Sequence, residues 1–220
     1  MCDRKQFLLG LERLDISISS AAVDKLLLYC QELQKWNRKI NLLARETTAA
    51  EMVEKHFLDS LALLPLLHKH GGSAVGAKNF SSLLLDVGSG AGFPGLVLAA
   101  AMPELRVTLL EPRQKRTAFL RHVVRTLGLS NVQVREERLE PGQPLPEQFT
   151  FITSRAVAAP EIFLPLIEAA AGPETVVILM LAEEERQSWD AGRWETVERL
   201  KFVLPFSGDP RLLAAVRKLP

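Results

Sequence analysis

The sequence predicts an α/β domain built on a mostly parallel sheet with helices on both faces, preceded by a small helical region. Three observations point there. From Ser82 onward, short apolar runs alternate with helix-length amphipathic stretches, the pattern of strands buried under crossover helices. A glycine-rich loop follows the first of these runs and opens a helix. Ahead of it, apolar residues recur at helical spacing.

Taken in order, residues 20 to 45 read as one helix, because Leu26, Cys30, Leu33, Trp36 and Ile40 fall on one face. A second helix is expected over residues 50 to 69, with Met52, Val53, Phe57, Leu61 and Leu64 inward and a bend at Pro65. The stretch GGSAVGAKN, residues 71 to 79, is rich in small residues and turn formers, so the helical region is placed at 1–78 and the α/β domain at 79–220. Strands are expected at Ser82–Val87, Arg106–Leu110, Val132–Arg135, Phe149–Thr153 and Thr175–Leu181. Helices are expected at Leu96–Met102, Arg113–Leu127 and Glu161–Ala171. The tail departs from the alternation. Val197–Leu204 and Leu212–Lys218, joined by Ser207-Gly208-Asp209-Pro210, suit an antiparallel hairpin at the sheet edge.

Composition sets bounds. The net charge of +1 does not mark a nucleic-acid binder, so any RNA-binding surface must come from segregated basic residues. Neither Cys2 nor Cys30 belongs to a Cys-x-x-Cys pair, which gives no sign of a zinc site or redox motif, and Cys30 is expected in the core. The opening residues MCDRKQF lack the pattern of a secretory leader, and no apolar run reaches membrane-spanning length. A cytoplasmic monomer, without membrane association, is the default expectation.

The strongest local signal is Asp86-Val-Gly88-Ser-Gly90-Ala-Gly92-Phe93-Pro94-Gly95. Glycine lets backbone pass close to a ligand in conformations that other residues avoid. The dinucleotide fingerprint requires Gly-x-Gly-x-x-Gly, yet the third glycine position here is Phe93. A pyrophosphate needs a bare helix N-terminus there, whereas S-adenosylmethionine has no phosphate and tolerates a bulkier residue. Glu111 ends the second strand, about twenty residues past the loop, where a carboxylate can accept from both ribose hydroxyls of a nucleoside. Asp86, the loop and Glu111 together favour S-adenosylmethionine over a dinucleotide.

Methyl transfer from a sulfonium is an in-line displacement that depends chiefly on alignment. Pyrimidine C5 methylation usually uses a cysteine after proline, which is absent, and exocyclic-amine methylation uses an Asn/Asp-Pro-Pro-aromatic motif where this chain has Thr153-Ser154-Arg155-Ala156. Metal-assisted oxygen methylation would call for clustered ligands, and no such cluster stands out. N7 of guanine has a free lone pair and loses no proton on methylation, so it requires no general base. Two acid-free basic stretches are candidates for RNA contact. One carries Lys35, Arg38, Lys39 and Arg45, and the other Arg113, Lys115, Arg116, Arg121, His122 and Arg125. Both are also amphipathic, so Trp36 and Phe119 are expected to pack in the core rather than stack on bases.

With these residues in view, the chain resembles the ribosomal RNA small subunit methyltransferase G family, also called glucose-inhibited division protein B. The resemblance runs from about Leu33 to Leu219. It is carried by KWNRKINLLA (Lys35–Ala44), HFLDSLALLPLL (His56–Leu67), DVGSGAGFPG (Asp86–Gly95), KRTAFLRHV (Lys115–Val123) and SRAVA (Ser154–Ala158). It implies a seven-stranded, Rossmann-like class I methyltransferase domain that methylates N7 of a guanine in the decoding-region loop of 16S rRNA. The partner would be small-subunit rRNA or the small subunit itself. By position, the resemblance assigns Gly88, Phe93, Leu139, Glu140 and Arg155 to the donor site, beside Asp86, Gly90 and Glu111. Arg138, Arg155 and Arg211 match basic positions of the family's cleft, as candidates to hold phosphates or orient the guanine. His56 and Asp59 also match family positions, where helix packing is an equal expectation.

Two departures stand out. The fourth strand lacks its usual introductory aspartate and reads Phe149-Thr150-Phe151, and the fifth ends Leu181-Ala182-Glu183 where Lys-Gly is common. The acidic run Glu183-Glu184-Glu185 is expected to face away from an RNA cleft. The competing readings are a small-molecule methyltransferase and a non-catalytic RNA-binding assembly factor.

Overall fold

A computed structural model describes residues 2–71, 82–155, 159–182 and 193–219. Helix α1 (Arg4–Arg13) starts at Asp3, whose side chain accepts from the Lys5 N–H. Helix α2 (Ser20–Asn37) starts at Ser19, whose hydroxyl accepts from the Ala22 N–H. These caps satisfy backbone donors that a helix start leaves free.

Helix α2 stops eight residues short of the sequence expectation. The Asn37 side chain is the reason. Its Oδ1 accepts from the backbone N–H of both Leu42 and Leu43, at 2.9 and 2.8 Å. A short amide side chain thus offers the backbone partners that a continued helix would have used. Residues 38–48 form a turn-rich loop instead.

The second expected helix is also divided. Helix α3 (Ala49–Met52) opens with a reciprocal Thr48–Glu51 capping box and runs into a π-helical turn, Val53–Leu58. Helix α4 (Asp59–Leu61) follows, then α5 (Leu64–His70). Pro65 lies in the first turn of α5 rather than at a bend, where its missing N–H is harmless.

The remaining elements are β1 (Leu83–Val87), α6 (Gly95–Ala101), β2 (Arg106–Leu110), α7 (Gln114–Thr126), β3 (Val132–Arg135), β4 (Phe151–Ser154), α8 (Pro160–Ile167), β5 (Val176–Ala182), β6 (Trp194–Val203) and β7 (Pro210–Lys218). Among the described residues they form one seven-stranded sheet, ordered β3-β2-β1-β4-β5-β7-β6. The pairs from β3 to β5 are parallel, and β7 lies antiparallel between β5 and β6. The tail is therefore a hairpin, with its second strand inside and its first on the edge.

Side chains alternate across the sheet, as the two-residue strand period requires. Leu84, Val107, Leu109, Phe151 and Ile178 join a core with α1, α2, α6 and α7. Leu85, Leu110, Ile152, Val177 and Leu179 join a second core with Phe163, Leu164 and Ile167 of α8. Helices thus cover both faces. Phe119 is buried in the core as expected, and Trp36, partly buried, packs against it at 5.6 Å. Cys30 is buried and its sulfur is joined to that of Cys2, with Cα atoms 6.3 Å apart, a pairing that spacing did not suggest. The expected boundary after residue 78 and the Glu183–Glu185 run lie outside the described residues.

The N-terminal region is anchored to the far hairpin as well. Glu54 is buried, and its Oε1 accepts from the backbone N–H of Phe206 and Ser207, both at 2.7 Å. This holds the β6–β7 turn against the π-helical turn.

Candidate active site

The sequence between β1 and α6 folds as a loop with three left-handed glycines, Gly88, Gly90 and Gly92, at φ of 70°, 58° and 94°. A side chain at Gly92 would also press on the Tyr29 hydroxyl at 2.5 Å, so only glycine fits there. Pro94 caps α6, one residue earlier than expected.

Asp86 does not face the cavity. It is fully buried, and its Oδ2 accepts from the Gly95 N–H at 2.9 Å. A carboxyl group there braces the loop against the helix start. Burial pushes its pKa up to about 7. Glu111 reaches the loop from β2. Its Oε2 accepts from the Gly90 N–H and its Oε1 from the Arg113 N–H, each at 2.9 Å. It is buried and held from two sides, not a solvated strand end.

The loop and Glu111 form one side of a cavity of about 450 Å3, within the size range of small-molecule sites. Of the residues the sequence pointed to, Gly88, Gly90, Phe93, Glu111, Arg138, Leu139 and Arg155 line it. Glu140 is exposed and outside the lining, and Glu137 is the acidic neighbour that reaches it. Arg211 does not line it either. Sequence reading missed Leu42 and Leu43, which close the cavity from the N-terminal region, and it took Arg113 and Arg116 for RNA contacts only. The sign available for the former was an apolar pair inside the KWNRKINLLA stretch.

Tyr29 is the other residue that sequence reading missed. It is buried in α2, and its hydroxyl donates to the Ala91 carbonyl inside the glycine loop. Its ring stacks on Phe93 at 5.6 Å. Burial raises its pKa well above the usual phenol value, so it stays a neutral donor.

Phe93 marks one end of the cavity. His56 stacks on it at 5.1 Å, and the Arg155 guanidinium lies 4.9 Å from its ring centre. Arg155, at the end of β4, also donates to the Lys55 carbonyl at 3.0 Å and to His56 Nδ1 at 2.5 Å. His56 Nδ1 must then be unprotonated. Burial first, and the charges of Arg155 and Lys55 second, lower the His56 pKa to about 3. Asp59 is one helical turn further on. Its Oδ1 lies 3.4 Å from Arg211 Nε, an ion-pair distance without hydrogen-bond alignment. Burial raises the Asp59 pKa to about 6, against the lowering effect of Arg155 and Arg211. A π-helical turn widens the backbone locally and is frequent at functional sites. Here it supplies His56, next to Asp59, as the supports of two arginines.

This arrangement suits a ligand with a hydroxylated ring near Glu111 and a planar group near Leu139. The left-handed glycines give it room, and the lining carries Arg138, which follows β3, and Arg155, which follows β4, on either side of the β2 and β1 ends. Among the described residues, no group of three or more His, Cys, Asp or Glu side chains could hold a metal ion. Among them too, no helix is long and apolar enough to cross a membrane.

Comparison with known proteins gives the family and the fold. Residues 22–203 match the family model described as rRNA small subunit methyltransferase G. The chain is 40% identical over 217 residues to "Ribosomal RNA small subunit methyltransferase G" of Desulfotalea psychrophila, covering 94% of this chain and 95% of that protein. It is 39% identical to the protein of the same name from Sorangium cellulosum, covering 94% and 84%. Among solved structures, a mutant of MtNAS in complex with S-adenosylmethionine shares the fold with a TM-score of 0.60 at 16% identity, covering 89% of this chain and 75% of that one. An O-methyltransferase from Bacillus cereus in complex with SAH does so with a TM-score of 0.54 at 18% identity, covering 86% and 91%.

Proposed function

This chain belongs to the rRNA small subunit methyltransferase G family, and from that premise we propose that it transfers a methyl group from S-adenosylmethionine to N7 of a guanine in the decoding-region loop of 16S small-subunit rRNA. The observation that carries the reading is a single cavity that joins Gly88, Gly90 and Glu111 to Arg138 and Arg155. The glycines and Glu111 suit the nucleoside of the donor, and Arg155, on the β4 side, suits an anionic acceptor.

The residues divide the work. Gly88 and Gly90 let the backbone approach the donor, while Glu111 accepts from the ribose hydroxyls. Leu139 and the neighbouring backbone flank the adenine, and Leu42 and Leu43 exclude water from above. Arg113 and Arg116 stand at the same rim. S-adenosylmethionine supplies an electrophilic methyl: its carbon–sulfur bond breaks, the sulfur keeps the electron pair, and the positive charge passes to the guanine. No proton leaves the acceptor, so the protein's contribution is alignment rather than acid–base chemistry. Arg138, Arg155 and Arg211 hold phosphates or orient the base. The Asp59 carboxylate sits beside Arg211 and lowers the cost of keeping two guanidinium groups near each other.

The test is transfer of labelled methyl to small-subunit rRNA from cells lacking this protein, followed by mapping of the product. A single N7-methylguanine in the decoding-region loop is expected. Donor binding with no product on rRNA, on subunits or on assembly intermediates would overturn the reading.

A further inference from the structure

The loop that closes the donor cavity has a second cavity on its other side. It measures about 590 Å3 and is lined by Gln34, Asn37, Arg38, Asn41 and Arg45, among others. No carboxylate lines it. Arg38 and Arg45 are exposed, and among the described residues neither side chain has an ion-pair partner. Three carboxamides stand beside two guanidinium groups; Asn37, whose Oδ1 already accepts from Leu42 and Leu43, has only its NH2 left for a ligand. Guanidinium groups match phosphate oxygens, and carboxamides offer both donors and acceptors to a base edge.

We propose that this groove binds a nucleotide of the RNA substrate next to the methylated one, with Arg38 and Arg45 on its phosphate and the carboxamides on its base. The proposal rests on the rRNA reading above. An acidic peptide could also pair with the arginines and carboxamides, but the groove borders the loop that lines the cavity proposed for methyl transfer to RNA, so a nucleotide of that same RNA is the better occupant.

Asn37 links the two cavities. It lines the groove, and its Oδ1 holds the backbone of Leu42 and Leu43, which line the donor cavity. A nucleotide seated in the groove therefore steadies the same loop that covers the donor. Each ligand then favours the other, because a coupling free energy is reciprocal.

The experiment measures binding of protein-free small-subunit rRNA, and of the small subunit, across a salt series. It compares the wild type with an Arg38→Ala/Arg45→Ala variant. Losing both arginines from that phosphate should lower affinity about tenfold or more and reduce the salt slope by about 0.7 if the RNA is single-stranded there. Affinity for S-adenosylmethionine alone should not change. Arg38→Lys/Arg45→Lys should keep most of the salt slope while losing affinity, because an ammonium keeps the charge but not the planar fork. Equal affinity and slope in wild type and alanine variant would overturn the groove and leave the rRNA reading intact. Failure of the wild type to bind either RNA form would overturn both. Asn37→Ala should weaken donor and RNA binding together, and unchanged donor affinity in that variant would remove the coupling.

Discussion

The hydroxyl of Tyr29 donates a hydrogen bond to the carbonyl of Ala91, across 62 residues of chain. The N-terminal helical region thereby holds the glycine loop at its centre, and the stacked ring of Phe93 extends the contact. The cavity beside the loop is a joint product of α2 and the strand–loop–helix unit.

Tyr29→Phe keeps the ring and removes the donor. The Ala91 carbonyl is left unsatisfied in the core, at a cost of about 1–3 kcal/mol. The expected result is a melting temperature lower by a few degrees, about 2–4 °C per kcal/mol for a chain of this size. S-adenosylmethionine affinity should fall as well. Calorimetry and a binding titration check both, and an unchanged affinity would show that the loop holds its shape without α2.

Glu111→Ala removes the acceptor proposed for the ribose hydroxyls and frees the Gly90 and Arg113 N–H groups. Donor affinity should fall about tenfold or more, the value of one or two hydrogen bonds to a charged group. Glu111→Gln keeps one carbonyl oxygen and should lose less. Glu140→Ala, whose side chain lies outside the cavity lining, should bind the donor like the wild type. A titration of the three variants orders them.

Arg155→Lys tests the shape of the guanidinium. Lysine keeps the charge but cannot bridge the Lys55 carbonyl, His56 Nδ1 and the Phe93 face together. Methyl transfer should drop by one to two orders of magnitude if Arg155 orients the acceptor, about 1.4–2.7 kcal/mol of barrier. Donor affinity should change far less. A variant with normal turnover would remove Arg155 from acceptor positioning.

Asp86 and His56 act in opposite directions on stability as pH changes. The Asp86 pKa is raised from 3.8 to about 7, so the folded state holds a proton that the unfolded state has released. Its contribution is full below pH 3.8 and is lost as pH rises to about 7. The His56 pKa is lowered from 6.5 to about 3, so its contribution is full above 6.5 and is lost as pH falls to about 3. Asp59, raised from 3.8 to about 6, adds to the Asp86 slope in the lower part of the window. Asp86→Asn should therefore make stability rise more steeply from pH 4 to 6.5 than it does in the wild type. Denaturant melts at several pH values measure this, and parallel curves would show that Asp86 does not carry a proton.

The strands, the parallel direction of the first five and the hairpin tail were legible because each rests on local patterns. Leu84 and Leu85 face opposite cores for the same reason that alternate side chains on any strand do. The glycine loop and Glu111 were legible through backbone demands that few residues meet. The N-terminal boundaries were less so. Asn37 stops α2 with one side-chain oxygen, and an apolar face still continues in register through Ile40, so periodicity alone extends the helix too far.

The sequence by itself determined the fold class and the left-handed glycine loop between the first strand and its helix, because glycine conformations and strand alternation are properties of neighbouring residues. The tertiary structure alone decided that Asp86 braces the loop, that Tyr29 supports it and that Leu42 and Leu43 close it. It also placed Arg155 on His56 across 99 residues of chain. Those relationships depend on which helices pack on which strands. Packing is set by the summed burial of two cores, and no short stretch of sequence contains that sum.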